Sequence, residues 1–184
     1  MKALLVVDVQ KAFFNEKWGE RNNHDAEEKM ATIIDYWRKQ GEEVIFIQHL
    51  SNNPQSVFYH KQEGFVIKES VKPMRGEQIF TKTVNSAFIG TGLEEYLHDR
   101  KISEVVIVGL TTPHCVSTTA RMSGNLGFHT SVVSDAMAAY GIYDQDENYV
   151  DPETVHSVSL ATIHEEFATV MTTDQLLTRF VEKK

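Results

Sequence analysis

Ala3–Val7, Val44–Ile47 and Val105–Val108 are uninterrupted apolar runs, rich in β-branched side chains, and too short for helices. Such a run has no polar face to give to water, so the strand it forms has to be covered on both sides. The segments between the runs supply that cover. Met30, Ile33, Ile34 and Trp37 recur at helical spacing, with Asp25 and Glu28 as an N-terminal cap and Gly41 as a stop, predicting a helix over 26–39. Leu93, Tyr96 and Leu97 mark a second helix. Weaker signals add strands at Ile79–Thr81, Phe128–Val133 and Phe167–Met171, and helices over 115–125, 151–165 and 174–181. Thr172 and Gln175 fit a capping box for the last of these. This alternation predicts a three-layer α/β/α domain on a mostly parallel sheet, and the length suits a single domain over 1–184.

Ligands of such sheets bind at the carboxyl ends of the strands, where strand order reverses. Two chemically capable residues stand at that edge. Asp8 closes the first apolar run, and Cys115, the only cysteine, follows the run 105–108 through Gly109-Leu110-Thr111-Thr112-Pro113-His114. At a predicted helix start, free backbone N–H groups and the dipole favour a thiolate and can bind an oxyanion. The competing reading of a lone cysteine is a small buried hydrophobe, and of Asp8 a turn or cap residue. Lys82, after the short strand 79–81, is by itself a surface lysine.

A formal charge of −8 offers no basic stripe for nucleic acid or an anionic membrane. Only Met1 and Lys2 precede the first apolar run, too little for a signal peptide or a membrane span. One cysteine excludes an intrachain disulfide, and a reducing cytoplasm is the expected compartment. The stretch 51–78 has no clear element, and is expected to be a lid, a substrate wall or a subunit contact. The acidic loop 140–149 lacks the glycine and glutamate spacing of a calcium loop and is expected to be a solvated turn.

Asp8-Val9-Gln10-Lys11-Ala12-Phe13-Phe14, Lys82 with Asn85-Ser86-Ala87-Phe88, and Gly109 through Val116 resemble, in order and separation, three signature segments of the isochorismatase-like cysteine hydrolase superfamily. Ser134-Asp135-Ala136, expected as a turn after the fifth strand, fits as well. The resemblance implies a Rossmann-like sheet of six strands. It implies Asp8, Lys82 and Cys115 as a catalytic triad, a cis peptide at Leu110–Thr111, and the amides of Thr111 and Cys115 as the oxyanion hole. True isochorismatases usually lack the cysteine, so its presence favours hydrolysis of a C–N bond through a thioester.

The expected substrate is a small amide, ureido or carbamoyl compound, with Phe13, Phe14, Trp18, His49 and His114 as substrate-binding candidates and Phe65 as a further wall. Gln10 is expected to support the Asp8 loop. Pro113 stands where the family commonly has asparagine or aspartate. Gln48-His49-Leu50-Ser51 departs from the Asp-x-His metal motif of nicotinamidases, and His156 and His164 have no carboxylate at metal spacing, so no metal and no cofactor are expected. A nicotinamidase-like or lactam-opening activity, and a catalytically silent ligand-binding or thiol-sensing protein, remain as alternatives. A homo-oligomer is expected from the resemblance.

Overall fold

A computed structural model describes residues 1–181. Its strands are β1 (Lys2–Val7), β2 (Glu43–His49), β3 (Gln78–Lys82), β4 (Glu104–Leu110), β5 (His129–Ala138), β6 (Ile142–Tyr143), β7 (Tyr149–Val150) and β8 (Thr169–Met171). The α-helices are α1 (Ala26–Gln40), α2 (Leu93–Asp99), α3 (Ser117–Asn125), α4 (Pro152–Ala161) and α5 (Thr173–Val181). Six strands form one sheet in the order β3-β2-β1-β4-β5-β8, and every neighbouring pair is parallel. A short antiparallel ribbon, β6 with β7, flanks the acidic loop, whose exposed residues 144–148 make the solvated turn that the sequence predicts. Asp144 organises the ribbon's loop by accepting the amides of Asp146 and Asn148.

The pleat of β1 divides the core. Leu4 and Val6 pack with Met30, Ile33, Ile34 and Trp37 of α1 and Leu176 of α5, whereas Ala3, Leu5 and Val7 face Leu93 and Leu97 of α2, Ala120 of α3 and Leu160 of α4. Helices therefore cover both faces, as continuous apolar strands require. Gly41 ends α1 in the left-handed conformation, as expected. Asp25 precedes the helix, but its backbone carbonyl, not its carboxylate, receives the amide of Glu28. The Thr172–Gln175 box is made in both directions.

Three boundaries move. β5 runs on to Ala138, so Ser134-Asp135-Ala136 lies inside the strand and not in a turn. Between the pairs Ile107↔Val132 and Gly109↔Met137, β4 advances two residues and β5 five, and pairing then resumes. α4 stops at Ala161, with Glu165 in the left-handed region, and β8 accordingly starts at Thr169.

Strand order reverses between β1 and β4, because β2 and β3 lie to one side of β1 and β4 and β5 to the other. The crevice at the carboxyl ends of β1 and β4 is thus the place where this topology holds a ligand. Gly109 makes the seam tight. Its φ is 135°, and an added Cβ would collide with the backbone of Val7.

Candidate active site

Asp8 is the first residue beyond β1, held at φ 52° by a 2.9 Å bond from its amide to the carbonyl of Ile47. Aspartate tolerates that left-handed geometry better than most residues, and here the turn aims the carboxylate across the strand ends. Lys82 is the last residue of β3, two strands away. With strands spaced about 4.8 Å apart, its stem has to cross the end of β2, where it is registered against His49. The ammonium arrives 2.7 Å from Asp8 Oδ2, 3.1 Å from His49 Nδ1 and 3.3 Å from Cys115 Sγ. An ammonium has three N–H donors, and these three acceptors match them one for one.

Cys115 arrives differently from expectation. After the cis peptide Leu110–Thr111, residues Thr112–Val116 form a π-helical turn with Pro113 at its start, and only then does α3 begin. The sulfur therefore sits inside a wide turn and not at the first residue of an α-helix. Thr112 anchors the turn, its Oγ1 lying 2.8 Å from Nδ1 of the buried His156. The Asn85–Phe88 string is tied to α3 by the Ala87 amide on Thr119 Oγ1, which fixes Asn85 at the rim. Gln10 is fully buried and joins three segments. Its Oε1 accepts the His49 amide, and its Nε2 donates to the carbonyls of His49 and Phe65.

These elements enclose a cleft of about 240 Å³ lined by Asp8, Phe13, Trp18, His49, Phe58, Asn85, Thr111, His114 and Cys115. Larger hollows occur elsewhere, one of them against the amino-terminal side of β4 and β5, away from these groups. The cleft's wall is aromatic: the Phe13 ring centroid is 5.2 Å from Trp18 and 5.4 Å from Phe58. Phe14 is not part of it. Lys11–Phe14 is a 3₁₀ turn, which rotates successive side chains by about 120°, so Phe13 faces in while Phe14 is 68% exposed beneath Lys68. Phe65 likewise lines none of the cleft and contributes its carbonyl. Phe58 and Asn85 were not anticipated as cleft residues. Asn85 lay in a quoted motif, whereas nothing in the aperiodic stretch 51–78 marks Phe58.

The electrostatics reverse one expectation. Burial, reinforced by the charge of Asp8, pushes the Cys115 thiol up to about 12, outweighing the pull of Lys82. Burial also raises the Asp8 carboxyl against the opposing charge of Lys82. At neutral pH the sulfur is a thiol, not the thiolate that a helix terminus predicts. Asp8 Oδ1 is buried and has no hydrogen-bond partner. His49 is held down to about 4 by burial and by Lys82, so its ring is neutral and Nδ1 accepts from the ammonium. Burial lowers His114 as well, and its Nδ1 lies 3.0 Å from Thr111 Oγ1.

Asp8, His49 and Cys115 have one donor atom each within 4.8 Å of one another, a spacing that could suit a metal ion. All three already converge on the Lys82 ammonium, and a divalent cation among them would face that positive charge at about bonding distance. The same three atoms are the acceptors of the Lys82 ammonium. His156 and His164 are satisfied structurally: the first meets Thr112, the second accepts the amide of Val170.

A wholly parallel sheet with a thiol, a carboxylate and an ammonium at its switch point has the build of an α/β enzyme acting on small molecules. Comparison with known proteins narrows that class. The Isochorismatase domain model matches residues 2–175, and the chain belongs to the isochorismatase family of hydrolases. It is 61% identical over 181 residues to the isochorismatase family protein YrdC of Bacillus subtilis (strain 168), covering 98% of this chain and 97% of that one. It is 30% identical over 144 residues to a streptothricin hydrolase of Streptomyces noursei, covering 77% and 56%. The crystal structure of an isochorismatase family protein from Chromobacterium violaceum ATCC 12472 superposes with a TM-score of 0.94 at 36% identity, over 96% of this chain and 92% of that one. Further relatives, at 27%, 30% and 24% identity, are a nicotinamidase, a maleamate amidohydrolase and a ureidoacrylate amidohydrolase. Among the described residues no helix is long and apolar enough to cross a membrane.

Proposed function

We propose that the chain is a cysteine amidohydrolase that cleaves the C–N bond of a small amide, ureido or carbamoyl compound through a thioester on Cys115. The observation that carries this reading is the Lys82 ammonium, which holds the Asp8 carboxylate at 2.7 Å and the Cys115 sulfur at 3.3 Å in one cleft. The substrate carbonyl sits over Sγ with its oxygen toward the amides of Thr111 and Cys115, the proposed oxyanion donors. Asp8 Oδ1, the carboxylate oxygen without a partner, takes the thiol proton as sulfur bonds to the carbonyl carbon.

A high thiol pKa suits that coupling. No thiolate accumulates at rest, and the proton leaves only as the S–C bond forms. The tetrahedral adduct collapses when the now protonated Asp8 gives its proton to the leaving nitrogen, releasing ammonia or an amine. Asp8 then removes a proton from water as the water oxygen adds to the thioester, and collapse of the second adduct returns the proton to sulfur and frees a carboxylic acid. Lys82 keeps its protons throughout and stabilises the carboxylate and any negative charge on sulfur. Release of ammonia across a panel of primary amides, ureido and carbamoyl compounds tests the reading. Turnover that disappears in Cys115→Ala supports it, and turnover unchanged in that variant refutes it.

A further inference from the structure

Among the described residues, the cleft contains no cation free to meet a substrate. Its lining has no arginine, and the lysine at its base spends all three donors on Asp8, His49 and Cys115. Four cations on neighbouring segments are also engaged. Arg21 and Lys68 both bind Glu27, Lys17 stands over the Trp18 ring 4.7 Å from its centroid, and Lys11 pairs with Glu63. The remaining polar groups at the cleft are the Asn85 carboxamide, the Thr111 hydroxyl and the rings of His49 and His114. The two rings are neutral at pH 7. Asp8 and Lys82 cancel each other's charge.

We propose that this site selects uncharged, flat carboxamides and rejects isosteric substrates bearing a carboxylate, because the aromatic wall of Phe13, Trp18 and Phe58 would strip water from the anion while no side chain at the cleft offers a counter-charge. This deepens the reading of the cleft as an amidohydrolase site and rests on it for the identity of the scissile group. A desolvated carboxylate without a partner is among the least favourable groups to bury, whereas a carboxamide loses little by exchanging water for Asn85 and Thr111. The charge of −8 on the whole chain adds long-range repulsion of anions. The names of the maleamate and ureidoacrylate amidohydrolases denote carboxylate substrates, so this chain is set apart from those relatives by charge.

Cys115 is the only cysteine, so its alkylation reports the charge preference of the cleft with no need for turnover. Iodoacetamide and iodoacetate differ chiefly in replacing a carboxamide by a carboxylate. Their rate ratio at Cys115 at pH 9, divided by the same ratio for N-acetylcysteine, is expected to be at least about tenfold in favour of the amide. In Asn85→Arg, a substitution at the exposed rim, it should move at least about fivefold toward iodoacetate. A normalised ratio of one or below overturns the proposal, as does a ratio that Asn85→Arg leaves unchanged or a cysteine that neither reagent reaches. In parallel, kcat/KM for terephthalamide should exceed that for 4-carbamoylbenzoate, and preference for the anion overturns charge selection while leaving a Cys115-dependent hydrolase in place. Conversely, a high alkylation ratio with hydrolysis that survives Cys115→Ala refutes the amidohydrolase reading and keeps the charge preference.

Discussion

Lys82 Nζ lies 2.7 Å from Asp8 Oδ2, and neither side chain is more than 1% exposed, although 74 residues separate them in the chain. Removing one partner of such a pair leaves a buried charge uncompensated, which costs about 3–5 kcal/mol. Lys82→Met is therefore expected to lower the unfolding free energy by about that amount. The double variant Asp8→Asn with Lys82→Met should recover part of the loss. Urea denaturation of the two single variants and the double variant checks this, and additive losses would mean that the pair is not coupled.

Stability at alkaline pH should report the protonated sulfur. Up to about pH 9 the folded and unfolded chains both hold the Cys115 proton. From the ordinary value of 9.0 up to the folded value of about 12, only the folded chain keeps it. Unfolding therefore becomes easier as pH rises through that window, by up to about 1.4 kcal/mol per pH unit from this group. Comparison with Cys115→Ala isolates the contribution from that of the buried tyrosines, and identical slopes would contradict a buried thiol.

The acid side runs the other way. His49 is neutral in the fold down to about pH 4, whereas the unfolded chain protonates it near 6.5. Stability present above pH 6.5 is lost as pH falls between those values, and His49→Gln should flatten this slope by up to one proton. Glu27, held down to about 2 by hydrogen bonds from Arg21 and Lys68 against the effect of burial, adds a second loss between pH 4.5 and 2. That lower step should be absent in Glu27→Gln.

Thr112 Oγ1 stands 2.8 Å from His156 Nδ1, and both residues are buried. Thr112→Val keeps the shape and deletes the bond, leaving the ring nitrogen unsatisfied at a cost of about 1–3 kcal/mol. Because Thr112 opens the turn that holds the sulfur, kcat should fall more than KM changes. Steady-state kinetics on the best amide checks this, and unchanged kcat would remove the contact from the account of nucleophile placement.

The residues that meet at the switch point were legible because each is tied to a strand end: Asp8 to β1, Lys82 to β3, and Cys115 to the turn after β4. Local sequence records such positions. Depth of burial is not local: the dipole of a helix start is visible in sequence, whereas the desolvation that raises Cys115 is not. Ser134-Asp135-Ala136 is expected as a turn because the apolar run ends at Val133. Its place inside β5 is set by pairing with β4 after an offset. Phe13 and Phe14 were indistinguishable by composition, and the 3₁₀ turn separates them. Phe58 enters the cleft from a stretch without periodicity, where chain path depends on tertiary contacts such as the Ser51↔Tyr59 bridge.

The account turns on covalent attack by Cys115. Rapid-quench mass spectrometry of the enzyme with a turned-over amide in excess measures it directly. The predicted result is a mass increment equal to the acyl group, located on the peptide that contains Cys115 and absent from Cys115→Ala. Turnover with no adduct on that peptide, or ammonia released by Cys115→Ala at the wild-type rate, would contradict it.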